Sequence, residues 1–213
     1  MRVSYAEGTL EASDLADTPL EQFHDWFVTA TQDDRIVEPN AMVVATADAF
    51  GVPSSRTVLL KGVDERGFTF FTNLRSQKSR ELQANPNVSA TFPWYALHRQ
   101  VVVCGVAEEI SREETLAYFR SRPHESQLGA WASEQSTVID SRDILDETWA
   151  SLHDQYPPGS EVPLPEQWGG WLIRPTSIEF WQGRPSRLHD RLRFRGGGVL
   201  TESASWTVER VSP

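Results

Sequence analysis

Leu20, Phe23, Trp26, Phe27 and Ala30 recur at spacings of three, three, one and three, which predicts an amphipathic helix over residues 20–31 with Pro19 in its first turn. Glu38-Pro39-Asn40 breaks that period. Short runs rich in Val, Thr and Phe follow over residues 41–47, 54–61, 68–72, 88–94 and 100–110, and runs of that length and composition predict strands. Asp48-Ala49-Phe50-Gly51 and Asp64-Glu65-Arg66-Gly67 carry turn chemistry and are short enough for antiparallel hairpins, while Asn85-Pro86-Asn87 marks a further break. A meander or small barrel is the simplest topology.

Helical patterns separate and follow these strands. Residues 76–84 predict a short helix capped by Ser76. Residues 111–120 open on Ser111-Arg112-Glu113-Glu114, a capping box, and residues 141–155 form a third candidate. The Pro-rich stretch 156–165 reads as loop. Residues 171–181 and 205–211 read as final strands joined through Gly196-Gly197-Gly198. Residues 1–18 are polar, small and acidic without a period, and are expected to be a mobile arm, leaving 19–213 as a single domain. The expected class is mainly β with flanking helices, α+β.

Composition narrows the functional classes. A chain of 213 residues, 39% apolar and 23% charged, buries one sizeable core. The net charge of −10 comes from scattered acids, which disfavours nucleic acid but leaves room for a few converging cations to hold a small phosphate compound. Cys104 is the single cysteine, so an intrachain disulfide and a Cys-rich metal site are excluded, and no metal is expected. No apolar leader or stretch of about 20 apolar residues is present, so a cytoplasmic protein without membrane contact is expected.

Four places carry candidate chemistry. Arg56 and Lys61 flank a Val/Leu/Thr strand and, five apart in regular extended chain, should point to opposite faces; two solvated charges at strand ends are the simpler account of that octapeptide alone. Phe70-Phe71-Thr72-Asn73-Leu74-Arg75-Ser76-Gln77-Lys78 runs from a strand into a helix N-terminus, where hydroxyls, amides and Lys78 favour phosphate, although an ordinary capped helix has the same residues. Tyr118 and Arg122 share a helix face if that helix reaches Pro123, with Ser126 just beyond. In Arg187-Leu188-His189-Asp190-Arg191, extended backbone would put all three basic groups on one side, where they need an anionic or aromatic partner. His24, His98, His124 and His153 have no metal-ligand spacing, and Trp131 and Trp181 could stack on a planar ring or simply fill a core.

Taken in order, Asn40 to Thr46, Arg56 to Lys61, Phe70 to Asn73, Phe92-Pro93-Trp94, Gln127 to Ser133, Gln135-Ser136, Val162 to Pro165, Trp168-Gly169-Gly170 and Glu179 to Arg191 resemble the pyridoxamine 5'-phosphate oxidases, from about residue 19 to 213. The resemblance implies an FMN-binding split β-barrel. It also implies a homodimer with active sites shared between subunits, and oxidation of pyridoxamine or pyridoxine 5'-phosphate to pyridoxal 5'-phosphate with O2 as acceptor and hydrogen peroxide as product. It places Arg56, Phe71, Thr72, Gln77, Lys78, Gln100, Gln135, Ser136, Trp181 and Arg191 on FMN, with Lys61 beside them. Lys61, Tyr118, Arg122 and Ser126 are placed on the substrate phosphate. Arg187 and His189, the catalytic pair, are placed over the pyridine ring, and Arg2 and Tyr5 fold over the substrate.

Many members of that family have Arg at the position of Gln77 and Tyr at that of Phe71. Two rival readings follow from the same residues: a flavin oxidase of the phenazine-biosynthesis type, against which Lys61, Tyr118 and Arg122 speak, and a non-catalytic protein that binds FMN or pyridoxal phosphate.

Overall fold

A computed structural model describes residues 8–213, so Arg2 and Tyr5 lie outside the described residues. In chain order the elements are α1 (Pro19–Thr31), β1 (Ala41–Ala47), β2 (Pro53–Leu59), β3 (Gly62–Asp64), β4 (Gly67–Asn73), α2 (Gln77–Ala84), β5 (Asn87–Trp94), β6 (Arg99–Glu109), α3 (Arg112–Ser121), α4 (His124–Ala132), α5 (Asp143–Gln155), β7 (Trp168–Gln182), β8 (Asp190–Gly196) and β9 (Trp206–Arg210). The expected class holds: the chain is an antiparallel sheet curled into a half-barrel with five flanking helices. No described helix is long and apolar enough to cross a membrane.

The sheet runs β2-β1-β5-β6-β7-β4-β3, with β8 on β7 and β9 on β8. Its geometry turns on β7. Phe68 to Asn73 of β4 pair with the first part of β7, and Asp190 to Arg195 of β8 pair with the last part, while β6 pairs along its whole length. Between the two halves the register shifts at Cys104/Gly105, opposite Pro175. A bulge of this kind sharpens twist and bends the strand, and it lets one strand serve two different neighbours. Gly105 is required there, because a Cβ would stand 2.0 Å from the Arg174 carbonyl oxygen.

Helix α1 closes the concave face. Thr18 caps it by accepting from the Glu21 amide at 3.3 Å, and its apolar stripe drives Phe23 against Phe68 and Phe92 at 4.8 and 5.1 Å, and Trp26 against Phe180 at 5.2 Å. Burying such rings contributes most of the driving force for this layer. A second, smaller core joins α3, α4 and α5 to the start of β7 through Phe119, Leu128, Val162 and Trp168.

Several sequence expectations change. Strand β2 ends at Leu59 and the hairpin at Asp64-Glu65-Arg66-Gly67 joins β3 to β4, leaving β2 and β3 at opposite ends of the strand order. Helix α3 stops at Ser121, Arg122 being extended at ψ 149°, and a separate α4 follows Pro123. An additional strand, β8, runs into the first of the glycines, Gly196. Before it, Ser186 and Arg187 have φ of +59° and +64°, so residues 187–189 do not continue an extended strand and the alternation drawn through Arg187, His189 and Arg191 fails. Part of the arm expected over 1–18 lies against the sheet: Leu10 is buried, its amide donates to Asp190 at 3.1 Å, and Arg210 pairs with Glu11 at 2.7 Å.

Candidate active site

A cleft of about 780 Å³ opens between β2, β4 and helices α2 to α4. It gathers Arg56, Lys61, Phe71, Thr72, Gln77, Lys78, Tyr118, Arg122, Ser126, Gln135 and Ser136 from four separate stretches of the chain. Lys61 reaches it because β2 ends before Lys61, whose amide donates to Thr69 of β4 at 2.9 Å. The expected opposite facing of Arg56 and Lys61 is therefore replaced by two cations lining one cavity.

One end of the cleft is built on Lys78. Its Nζ donates to Gln135 Oε1 at 2.9 Å, Thr72 Oγ1 at 3.0 Å and Ser76 Oγ at 3.4 Å, all neutral oxygens. Burial, with Arg56 adding repulsion and Glu81 opposing it, pushes the ammonium pKa down to about 8. Arg56, from β2, donates to Thr46 Oγ1 at 2.5 Å, to Ser54 Oγ and to Val44 O, and approaches Glu81 Oε2 at 3.4 Å. Glu81 is the organiser of this end. Burial would raise its pKa, but hydrogen bonds from Ser54, Thr46 and Gln77 and the Arg56 charge hold it at about 2. Gln77 Nε2 donates to its second oxygen at 2.8 Å. Two cations against one carboxylate, with hydroxyl and amide groups around them, leave a net positive recess suited to a phosphate.

The other end is aromatic and cationic. Phe71 stacks on Tyr118 at 3.9 Å and on Trp168 at 5.3 Å, all three rings within 15° of parallel. The Arg122 guanidinium lies 4.7 Å over the Trp168 ring, and Ser126 sits in the first turn of α4. Tyr118 and Arg122 meet here although the helix between them ends early. Burial lowers the Arg122 pKa, with Tyr118 opposing.

Gln100, Trp181, Arg187, His189 and Arg191 do not line this cleft. Gln100 pairs with Trp181 and Trp181 with Arg191 across β6, β7 and β8, and the His189 ring lies 4.7 Å from that of Trp181. His189 Nδ1 accepts from the Arg184 amide at 3.0 Å. Arg191 is bidentate on Glu179 at 2.8 and 3.0 Å. The partners demanded by this basic run thus come, for His189 and Arg191, from β7 of the same chain. Glu81 has no place in the sequence reading, and Trp168 enters it only within the Trp168-Gly169-Gly170 motif, without a role. The signal for Glu81 is weak: Thr46, the one polar residue of β1, pairs in register with Ser54 of β2, and both donate to it.

Residues 28–156 match the family model described as pyridoxamine 5'-phosphate oxidase, and residues 168–213 match that described as pyridoxine 5'-phosphate oxidase C-terminal dimerisation region. This chain belongs to the pyridoxamine 5'-phosphate oxidase family. The pyridoxine/pyridoxamine 5'-phosphate oxidase of Streptomyces avermitilis is 55% identical over 216 residues, covering 100% of this chain and 95% of that one. Its counterpart in Saccharopolyspora erythraea is 53% identical, covering 100% and 94%. Among solved structures, PhzG from Burkholderia lata, in complex with tetrahydrophenazine-1-carboxylic acid, superposes with a TM-score of 0.85 at 28% identity over 96% of this chain and 98% of that one. A pyridoxamine 5'-phosphate oxidase-related, FMN binding protein from Nostoc punctiforme shares the fold, with a TM-score of 0.70 at 17% identity over 94% of this chain and 100% of that one. As a member of the pyridoxamine 5'-phosphate oxidase family the chain is an oxidoreductase.

Proposed function

We propose that the protein oxidises pyridoxamine or pyridoxine 5'-phosphate to pyridoxal 5'-phosphate, using FMN and O2. The observation that carries this reading is that one cleft is lined by four cations, Lys78 and Arg56 around the Thr72–Glu81 end and Arg122 at the aromatic end, with Lys61 also on its wall. A phosphorylated cofactor and a phosphorylated substrate would need such a set. The names of the relatives supply the substrate class.

The residues present fit FMN: a buried lysine bonded only to neutral oxygens has an unfilled demand for an anion. Lys78, Arg56, Thr72, Gln135 and Ser136 would hold its phosphate end. Gln77, where an arginine is common in the family, supports Glu81 and contributes no charge. When bound, FMN supplies the electron-accepting ring system through which C4' is oxidised and O2 reduced to hydrogen peroxide.

The chain's own work is orientation. Lys61, Tyr118, Arg122 and Ser126 would grip the substrate phosphate with charge-assisted hydrogen bonds, fixing the pyridine ring by its handle. Arg187 and His189 would cover that ring, and Gln100, Trp181 and Arg191 would complete the flavin site. Because these five residues lie away from the cleft, we place them in the cleft of a second copy, in a homodimer with shared sites. The match of residues 168–213 to the dimerisation region supports that assembly.

Purified protein given pyridoxine 5'-phosphate in air tests the reading, with formation of the aldehyde and peroxide as the expected result. Lys61→Ala and Arg187→Leu should each lower kcat/KM by about tenfold or more, the loss of one charge-assisted contact, with flavin content retained. Wild-type kcat/KM in both would remove them from the site. Turnover of a tricyclic acid in place of the phosphate ester would favour the PhzG-like reading that the 0.85 TM-score keeps in view.

A further inference from the structure

Two arginines discussed above are anchored by carboxylates. Arg56 is tied to Glu81, and Arg191 is clasped by Glu179. Arg122 has no such anchor. Among the described residues it forms no ion pair, and its Nη1 is buried with no hydrogen-bond partner. What it has is a ring: its guanidinium carbon lies 4.7 Å from the Trp168 centroid and 5.7 Å from that of Phe119.

That ring is itself fixed. Trp168 is 6% exposed and opens β7, pairing with Asn73 of β4. Its carbonyl oxygen accepts from Arg112 Nη1 at 2.5 Å, and the same guanidinium reaches the Pro165 carbonyl at 3.1 Å, so both ends of the turn leading into Trp168 hang on one side chain of α3. Phe71 and Tyr118 lie parallel to the indole, and Phe119 meets it edge-on at 5.2 Å.

A carboxylate would hold a guanidinium by its N–H edge and cancel its charge, leaving little for an incoming phosphate. An aromatic face attracts the cation through its π cloud and leaves the N–H edge unused. We propose that Trp168 is the positioning residue of the substrate-phosphate grip: its indole holds Arg122 in place with the charge and the donor edge free, and Arg112 holds Trp168. The inference deepens the functional reading above and rests on it.

The test is kinetic, on FMN-loaded enzyme with pyridoxine 5'-phosphate. Trp168→Leu should raise KM about tenfold, the scale of one desolvated cation–π contact, with kcat within about twofold because the reacting end of the substrate is untouched. Trp168→Phe keeps a smaller face and should raise KM only about threefold. In an Arg122→Leu background, Trp168→Leu should add less than about twofold, since coupled residues do not add. Arg112→Gln, which keeps the indole but releases the turn that positions it, should also raise KM and serves if Trp168→Leu does not fold. An unchanged KM in Trp168→Leu, a fall in kcat at constant KM, or a full additional loss in the Arg122→Leu background overturns the proposal; where Trp168→Leu is insoluble, an unchanged KM in Arg112→Gln does so. If wild type turns nothing over, the oxidase reading has failed. Titration of the same proteins with inorganic phosphate then decides the Trp168–Arg122 coupling separately, tighter binding by wild type than by the variants supporting it and equal binding overturning it.

Discussion

Lys78→Met is expected to weaken FMN binding about a hundredfold while raising the melting temperature of the flavin-free protein. Two charge-assisted hydrogen bonds to a phosphate, at about 1.5 kcal/mol or more each, give a factor of that size. The gain in stability has a separate origin. The ammonium is buried among neutral oxygens, and burial pulls its pKa down to about 8 from 10.5, so its charged form is disfavoured by folding. Methionine keeps the volume and removes the charge, and Thr72 Oγ1 still donates to Gln135 Oε1 at 2.9 Å. The sign with pH follows from linkage. Between about 8 and 10.5 the unfolded chain holds this proton and the folded chain does not, so this group makes the flavin-free protein more stable as pH rises through that window. FMN needs the charged form, so its affinity should fall through the same window. Fluorescence titration and thermal melts of wild type and Lys78→Met across pH check both slopes; affinity unchanged by the substitution would take Lys78 out of the phosphate site.

Gly67→Ala should cost roughly 3 kcal/mol or more, from combined backbone strain and overpacking. Gly67 has φ +151°, and a Cβ would stand 2.0 Å from the Ile173 carbonyl oxygen, which is backbone and cannot swing away. The residue begins β4, whose register with β7 sets where Phe71 and Thr72 enter the cleft. A melting temperature lower by about 6–12 °C is expected, together with reduced flavin retention. Gly51 is the control: its φ is +82° but nothing lies within 4 Å of an added Cβ, so Gly51→Ala should cost only about 1 kcal/mol. Equal melting temperatures for the two variants would contradict the steric account.

The period of α1 and the strands β1 and β5 could be read from sequence because each depends on local pattern and a nearby breaker; Ser76 stands at the expected position ahead of α2, but its hydroxyl makes no capping hydrogen bond and meets Lys78 and Ser79 instead. β8 could not be read in the same way. Its buried positions, Leu192 and Phe194, are only two, and arginines at 191, 193 and 195 look like surface until Glu179 and Glu209 appear on the neighbouring strands. The helix break at Arg122 was marked by Pro123, yet the meeting of Arg122 with Trp168 spans 46 positions and has no local signature. The fold of the cleft was legible where it follows strand ends. The side chains that support it, Glu81 and Trp168, gain their meaning only from what the sheet brings beside them.

The separation of the cleft from the Trp181–His189 end has a genetic consequence. On the shared-site proposal, a chain damaged at Lys61 and a chain damaged at Arg187 can assemble into a mixed dimer in which both lesions fall on one site and the other is whole. Two alleles that each encode a crippled protein would then rescue one another when co-expressed, whereas two alleles damaged in the same half would not.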